Sequence, residues 1–226
     1  MATICGSARR DKRGQLVCLA SDPQWLSERA SCVTGSELPT IMGRSRYSTR
    51  DACLRAKVDG TSIPVTKNMW WGSQMEQPNM EAFSKLSGLP VVPANEFWRW
   101  GVLGATIDGY IHATWTKPGP CWTTEYRDFG DSLCAKHKEA VGLIEMKNVS
   151  QFALKEWQKG CPEYYELQAQ AQLAVTGLDY CVLVAKIGSA DMLMHLVEAD
   201  TLLHQEMIRV AEDFWKEVLD GRSTAS

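Results

Sequence analysis

The sequence contains no run of ~18 consecutive apolar residues, the length that a membrane-spanning helix requires. Its first segment, MATICGSARRDKRGQ, has no apolar stretch followed by a cleavage site, so no secretory signal is expected. Hydrophobic residues make up 45% of the chain and charged residues 23%, which is typical of a globular protein. With 226 residues the chain is long enough to bury a full core, so we predict one domain over 1–226, with 1–20 poorly ordered.

Cysteine and histidine spacing gives no support for a zinc or iron–sulfur site. No two of the eight cysteines are spaced as CxxC, and the four histidines form no pair with ligand spacing. Disulfide frameworks belong mainly to short secreted chains, and no secretory signal is predicted here. We therefore expect reduced thiols that pack as small apolar side chains.

The net charge of −3 hides an asymmetry along the chain. Residues 1–57 carry ten basic against five acidic side chains, whereas the remainder carries fourteen against twenty-two. A basic first quarter beside an acidic body is expected if that quarter faces phosphates, but a solvated basic arm would give the same composition.

Hydrophobic periodicity and turn residues predict an α/β fold with a central mixed sheet of about five strands flanked by helices. The predicted strands cover 91–96, 101–112, 141–149, 179–186 and 193–198. The predicted helices cover about 22–29, 34–43, 49–58, 68–86, 150–158, 162–175 and 200–219. Ser48 or Thr49 is expected to cap the third of these helices, and Gly88 is expected to close the fourth. The Pro- and Gly-containing stretch 113–140 is interpreted as a long hairpin, and Pro78 predicts a kink or a break in the helix over 68–86.

The segment GLIEMKN (142–148) places two opposite charges in an otherwise apolar strand. Side chains alternate along a strand, so Glu145 and Lys147 share one face and Met146 takes the other. Burying these charges is costly unless they are paired or bind a metal ion. A simple ion pair at a sheet edge is the alternative.

A second carboxylate, Asp108 in GATIDGYIH, lies in another apolar strand pattern just before Gly109. Two strand carboxylates are the oxygen ligands that Mg²⁺ takes together with water and phosphate. Such a cation neutralises charge on a phosphoryl group, and a nearby lysine stabilises the transition state of phosphodiester hydrolysis. Asp108 is also compatible with a plain Asp-Gly turn.

Five short motifs in this order resemble the viral recombinase branch of the PD-(D/E)xK nucleases, represented by lambda exonuclease and the YqaJ-type alkaline exonucleases. The motifs are WLSERASCVTGSELPTIMG (25–43), WGSQME (71–76), TIDG (106–109), IEMK (144–147) and YELQAQAQLAVTG (165–177). The resemblance implies a restriction-endonuclease-like core and a Mg²⁺-dependent 5′→3′ exonuclease, with Mn²⁺ as a possible substitute. The expected substrate is linear double-stranded DNA, converted to mononucleotides with a 3′ single-stranded tail left behind. The stretch between Asp108 and Glu145 is longer than in lambda exonuclease. Its side chains could contact DNA or another subunit, with aromatic rings available to stack on an unpaired base, and an ordinary packed hairpin is the alternative. These side chains are Trp115, Lys117, Trp122, Tyr126 and Arg127.

The resemblance also implies roles for the residues that match the family motifs. Asp108, Glu145 and the backbone carbonyl of Met146 match the metal ligands. Lys147 matches the catalytic lysine, and Glu76 matches a helical glutamate that helps to organise the metal site.

Four further positions match residues near the DNA. Gln168 matches a glutamine near the scissile phosphate, and Gln170 is the second glutamine of that motif. Arg29 and Ser36 match residues that hold the terminal 5′-phosphate, a role suited to a guanidinium and a hydroxyl. A surface cation, a capping serine and two solvated glutamines are the alternatives, and the two glutamines cannot face the same way on one helix.

At the level of assembly, the resemblance implies a ring-shaped homotrimer around DNA, a phage single-strand annealing protein as partner, and the bacterial host cytoplasm as location. Basic residues such as Arg44, Arg46 and Arg50 would then line the hole. Two other functions remain open: an endonuclease of the same superfamily, and a non-catalytic protein that binds DNA ends.

Overall fold

The computed structural model describes residues 14–61, 64–114, 124–189 and 192–224. Within them the strands are β1 (Gln15–Leu19), β2 (Val33–Thr34), β3 (Val91–Trp100), β4 (Leu103–His112), β5 (Val141–Val149), β6 (Tyr180–Ile187) and β7 (Met192–Glu198). The α-helices are α1 (Trp25–Ala30), α2 (Leu38–Ile41), α3 (Arg50–Val58), α4 (Lys67–Ser87), α5 (Thr124–His137), α6 (Leu154–Trp157), α7 (Glu163–Thr176) and α8 (Thr201–Thr224).

The strands form one mixed sheet in the order β1-β3-β4-β5-β6-β7, with β2 pairing parallel to β4 outside this path. The β5–β6 pair is parallel, and the four remaining pairs along the path are antiparallel. The predicted α/β class with a central mixed sheet is confirmed, and all five predicted strands are present.

Two strands were not predicted. The sheet contains β1, which pairs with β3, so the expectation of poor order over 1–20 is wrong for Gln15–Leu19. Residues 1–13 lie outside the described part of the chain. The strand β2 has only two residues, too few for any periodicity to reveal.

Helices cover both faces of the sheet because the central strands are apolar on both sides. One core cluster joins β5 and β6 to α7 and α8, with Leu183, Leu173 and Phe214 among its members. The second joins the opposite face of the same strands to α4 and α5, through residues such as Ile144 and Phe83. The continuous apolar run of β6, YCVLVAKI, reflects this double burial.

Helix α4 is unbroken over 21 residues even though Pro78 lies inside it. Thr66 caps its first turn by accepting a hydrogen bond from the Met69 N–H, and Gly88 ends it at φ 73°. This left-handed conformation favours glycine, as the sequence predicted. Of the two outcomes expected from Pro78, a break into two helices is wrong.

The predicted hairpin over 113–140 is also wrong, since this stretch contains α5. Gly130, taken as a loop residue, allows α5 to approach α4 closely: a Cβ there would lie 2.9 Å from the Ser87 carbonyl oxygen. Tyr126, considered as a residue that stacks on an unpaired base, is buried instead and its hydroxyl accepts from the Met192 N–H. The aromatic and basic positions at 115, 117 and 122 lie outside the described residues.

All six cysteines in the described part of the chain are free; three of them are buried and three are partly exposed. No helix among the described residues is long and apolar enough to cross a membrane.

Candidate active site

The two strand carboxylates lie where β4 and β5 stop pairing. The antiparallel ladder ends at the pair Gly109–Ile144, and the next residue on each strand is Asp108 and Glu145, respectively. Beyond this point the Asp108 carboxylate accepts a hydrogen bond from the Met146 N–H at 3.0 Å, in place of a main-chain acceptor. Both acids therefore lie at the place where the main-chain pairing of β4 and β5 ends, and the bond between Asp108 and the Met146 N–H still links the two strands.

Glu145 is buried, with 1% of its surface exposed, and is held by three side-chain donors. Its Oε1 accepts from Lys147 Nζ and, at 2.8 Å, from Gln168 Nε2. Its Oε2 accepts from Gln172 Nε2, which also donates to the Thr106 carbonyl at 2.9 Å. These bonds offset the cost of removing the carboxylate from water and fix its orientation.

Lys147 lies on the same strand face as Glu145, while the Met146 side chain packs into the core on the other face. This alternation confirms the predicted strand geometry. The ammonium also donates to Gln168 Oε1 at 3.1 Å and lies 5.0 Å from the centre of the Tyr165 ring. Burial lowers the pKa of Lys147, but the neighbouring acids, Glu145 above all, outweigh burial and raise it above its ordinary value. Lys147 is therefore a permanent cation at neutral pH.

Glu76 adds a third carboxylate from α4, on the other side of the strand ends. Burial, followed by repulsion from Glu145, raises the pKa of Glu76 to about 7. Burial and repulsion from the same two acids raise the pKa of Asp108 well above its usual range. Among the described residues, Lys147 is the cation that offsets part of the repulsion on Glu76 and Asp108. Each of the three acids would be stabilised by an additional cation.

This donor set fits a hard divalent cation by chemistry and by charge. As the side chains stand, no three His, Cys, Asp or Glu residues in the described ranges converge closely enough to hold a metal ion. Both carboxylate oxygens of Glu145 are already engaged by donors. Binding a cation here would require some of these side chains to turn.

Arg29 is connected to this cluster through Thr106, two residues before Asp108 on β4, whereas Ser36 contacts Thr34. Arg29 Nη1 donates to Thr106 Oγ1 at 3.3 Å, and the Thr106 carbonyl accepts from Gln172. Ser36 is exposed, and its hydroxyl lies 3.1 Å from the Thr34 hydroxyl.

The residue before Ser36 explains its position beside α7. A Cβ on Gly35 would lie 3.2 Å from the Ala171 Cβ, which is a tight contact, so glycine favours the close packing of this loop on α7. The structure thus places Ser36 next to the helix that carries Gln168 and Gln172.

Gln170 does not join the cluster. It is 4% exposed and points to the junction of β7 and α8, where Nε2 donates to the Glu198 carbonyl and Oε1 accepts from the Asp200 N–H. The same Oε1 lies 2.8 Å from His204 Nε2. The position of Gln170 contradicts its predicted contact with DNA and indicates a structural role, because both ends of its amide are used inside the fold.

Gln172 is the site residue that sequence reasoning missed. It is 2% exposed and donates to Oε2 of Glu145, whereas Lys147 donates to Oε1. The available signal was helical spacing: Gln168 and Gln172 are four apart and share one face of α7, whereas Gln168 and Gln170 do not.

The three arginines predicted to line a channel all pair with acidic residues of the same chain. The pairs are Arg44–Glu163 at 3.1 Å, Arg46–Glu156 at 2.9 Å and Arg50–Glu217 at 2.6 Å. All six side chains are at least partly exposed to solvent, so the pairs are weakly held and remain accessible to phosphates.

The comparisons with protein families and with known proteins both identify YqaJ-type sequences as similar to this chain. A model of the YqaJ-like viral recombinase domain family matches residues 24–179. The uncharacterized protein YqaJ of Bacillus subtilis (strain 168) is 24% identical over 229 residues, covering 95% of this chain and 63% of that protein. The chain therefore spans less than two thirds of the length of this curated relative.

Solved structures share the fold. An alkaline exonuclease, LHK-Exo, from Laribacter hongkongensis superimposes with a TM-score of 0.64 at 19% identity, covering 90% of this chain and 96% of that one. The same enzyme in complex with dAMP gives a TM-score of 0.66 at 19% identity, with the same coverage of both chains. A phage-related exonuclease from Haemophilus somnus 129PT gives 0.62 at 14% identity, covering 86% and 96% of the two chains.

Proposed function

We propose, because the chain belongs to the YqaJ-like viral recombinase domain family, that it is a metal-dependent 5′→3′ exonuclease acting on linear double-stranded DNA. It removes mononucleotides from the 5′-ended strand and leaves a 3′ single-stranded tail for recombination by strand annealing. The structural neighbours are exonucleases, which supports the nuclease class, and the dAMP complex of LHK-Exo supports mononucleotide release.

The observation that carries the proposal is the buried carboxylate of Glu145, held by Lys147, Gln168 and Gln172 beside two further acids. A structural ion pair would need one acid for one lysine. Glu76 and Asp108 exceed that need. Burial and mutual repulsion raise the pKa values of both acids, which supports an excess of negative charge at this place. Such uncompensated acids beside a buried cation are expected at a catalytic site.

The metal ion is proposed to be Mg²⁺, with Mn²⁺ as a substitute, held by Asp108, Glu145 and the Met146 backbone carbonyl. Glu76 contributes negative charge from α4 and keeps the site selective for a cation. When bound, the cation supplies Lewis-acid activation of water and neutralises charge on the scissile phosphate.

Lys147 acts in this proposal as a fixed cation and not as a proton acceptor, because its pKa lies above the ordinary value. Its ammonium stabilises the negative charge that develops on the phosphate oxygens. Gln168 bonds to both Lys147 and Glu145, so it keeps the ammonium in place and can donate to the substrate when those bonds rearrange.

Arg29 and Ser36 are proposed to hold the 5′-terminal phosphate. The guanidinium bonds to Thr106, which is two residues from Asp108 on the same strand, so a phosphate held by Arg29 lies close to the catalytic acids. A bound terminal phosphate would set the distance to the scissile bond, which favours release of one nucleotide at a time.

At the level of assembly we propose a homotrimeric ring around DNA, a phage single-strand annealing protein as partner, and action in the bacterial host cytoplasm. The whole chain, 1–226, is proposed to act as a single nuclease domain. Arg44, Arg46 and Arg50 would exchange their exposed acidic partners for DNA phosphates, a gain that depends on salt.

The decisive experiment is digestion of end-labelled linear duplexes that carry a 5′-phosphate on one strand only, with and without Mg²⁺. We expect Mg²⁺-dependent loss of the phosphorylated strand from its 5′ end. A covalently closed circular duplex is the control, since an exonuclease leaves it intact. Cleavage of the circle would indicate an endonuclease, and binding without cleavage at any Mg²⁺ concentration would indicate a DNA-end-binding protein.

A further inference from the structure

We propose that Lys57 is a positioning residue for the terminal-phosphate pocket: its buried ammonium joins the two chain segments that supply Arg29 and Ser36. This inference rests on the proposed function and extends it to a residue outside the catalytic cluster. Lys57 lies near the end of α3 and is 8% exposed, which is unusual for a lysine.

The Lys57 ammonium has three oxygen partners. Nζ donates to the Arg29 carbonyl at 3.0 Å and to the Cys32 carbonyl at 2.8 Å. It also pairs with Glu37 Oε2 at 3.1 Å. Removing the ammonium would take one donor from each of these oxygens. The Arg29 carbonyl would keep only the Cys32 thiol, and Glu37 Oε2 would keep only the Thr34 N–H.

Two of these acceptors belong to the segment that ends α1. The Arg29 carbonyl is among the last carbonyls of that helix, which have no acceptor role inside the helix itself. By fixing the main chain at Arg29, the ammonium fixes the direction in which the guanidinium leaves the helix toward Thr106.

The third acceptor belongs to the segment that carries Ser36. Glu37 follows Ser36 directly, and the same carboxylate oxygen that pairs with Lys57 accepts from the Thr34 N–H at 2.9 Å. The loop around Ser36 is therefore tied from both ends to one carboxylate, and through it to Lys57.

Other contacts show why Lys57 is the connecting point. Arg99 also holds the end of α1, but its bonds reach Ser31, Glu28 and the Gly101 carbonyl and do not extend to the loop of Ser36. The Lys57 backbone is itself anchored, since its carbonyl accepts from Arg222 Nη2 at 2.7 Å. Lys57 thus connects α3 and α8 to both segments that supply pocket residues, the end of α1 and the loop of Ser36.

The experiment compares the full-length protein with Lys57→Met, which keeps the apolar stem and removes the ammonium. The measured quantity is the ratio of kcat/KM for linear duplexes with a 5′-phosphate to that for duplexes with a 5′-hydroxyl, in Mg²⁺. We expect Lys57→Met to reduce this ratio by about tenfold or more, because small displacements of binding groups are costly. The loss should appear in KM for the phosphorylated end, with kcat for the hydroxyl end unchanged.

Arg55→Met is the matched control, since Arg55 lies on the same helix but is exposed, and it should leave the ratio unchanged. Glu37→Gln is the second variant; it weakens the link to the Ser36 loop only and should lower the ratio by a smaller factor. Should Lys57→Met fail to fold, Glu37→Gln decides the question by itself.

The outcomes distinguish a failure of the terminal-phosphate pocket from a failure of the positioning role of Lys57. A wild-type ratio near one would overturn the terminal-phosphate pocket of the proposed function. A wild-type ratio well above one that Lys57→Met and Glu37→Gln both retain would leave the pocket standing and overturn the positioning role alone.

Discussion

Replacing Glu76 by Gln should make the metal-free protein less sensitive to pH. The folded-state pKa of Glu76 is raised from 4.5 to about 7, so between these values the folded protein binds more protons than the unfolded chain. The free energy of unfolding therefore falls as the pH rises through this window. The full displacement would correspond to at most about 3 kcal/mol, and partial solvent access reduces it to on the order of 1 to 2 kcal/mol.

The assay is thermal unfolding in EDTA at pH 5.5 and pH 8.0. On raising the pH, we expect the wild-type Tm to fall by roughly 2 to 8 °C more than that of Glu76→Gln. Adding Mg²⁺ at pH 8.0 should then restore the wild type more than the variant, because a cation offsets the uncompensated charge. Glu81→Gln is the control, since Glu81 is an exposed acid on the same helix. Parallel pH profiles for wild type and Glu76→Gln would refute the assignment of excess negative charge to this site.

Four further outcomes are expected. Lys147→Ala should lower cleavage of end-labelled duplex by about a hundredfold or more while binding to DNA ends survives; full activity would remove the catalytic assignment. Arg29→Ala should abolish the preference for 5′-phosphorylated ends in digestion assays, and an unaltered preference would show that another group holds the phosphate. Gln172→Leu should cost about 1.5 to 3 kcal/mol in urea unfolding, since the buried Glu145 loses a donor; an unchanged midpoint would contradict the network. Light scattering at micromolar concentration should give the mass of a trimer, and the mass of a monomer would contradict the proposed ring.

Local patterns were sufficient wherever the physical cause is itself local. Alternation along a strand correctly separated Lys147 from Met146, and the caps at Thr49 and Gly88 marked helix ends that the structure has. The same rules failed over 113–140, because Gly130 was taken as a turn residue when its role is a close approach to another helix. A close approach depends on the opposing helix, here α4, and that helix is distant in sequence from Gly130.

The choice between glutamines shows the same limit at the site. Gln170 and Gln172 have the same side chain on the same helix, and helical spacing alone separates their faces. Which face meets Glu145 depends on how α7 packs against β4 and β5, and that packing put Gln172 at the acid and Gln170 against α8.

By itself, then, the sequence determined the fold class, the carboxylate and lysine of β5 on one strand face, and the family likeness, since each follows from residues close together in the chain. Tertiary structure alone decided which groups surround those residues. Asp108 reaches Met146 across 38 residues, Gln172 reaches Glu145 across 27, and Lys57 reaches Arg29 across 28. Such contacts exist only when separate elements pack together, because the energy that fixes them comes from burial and not from local backbone preference.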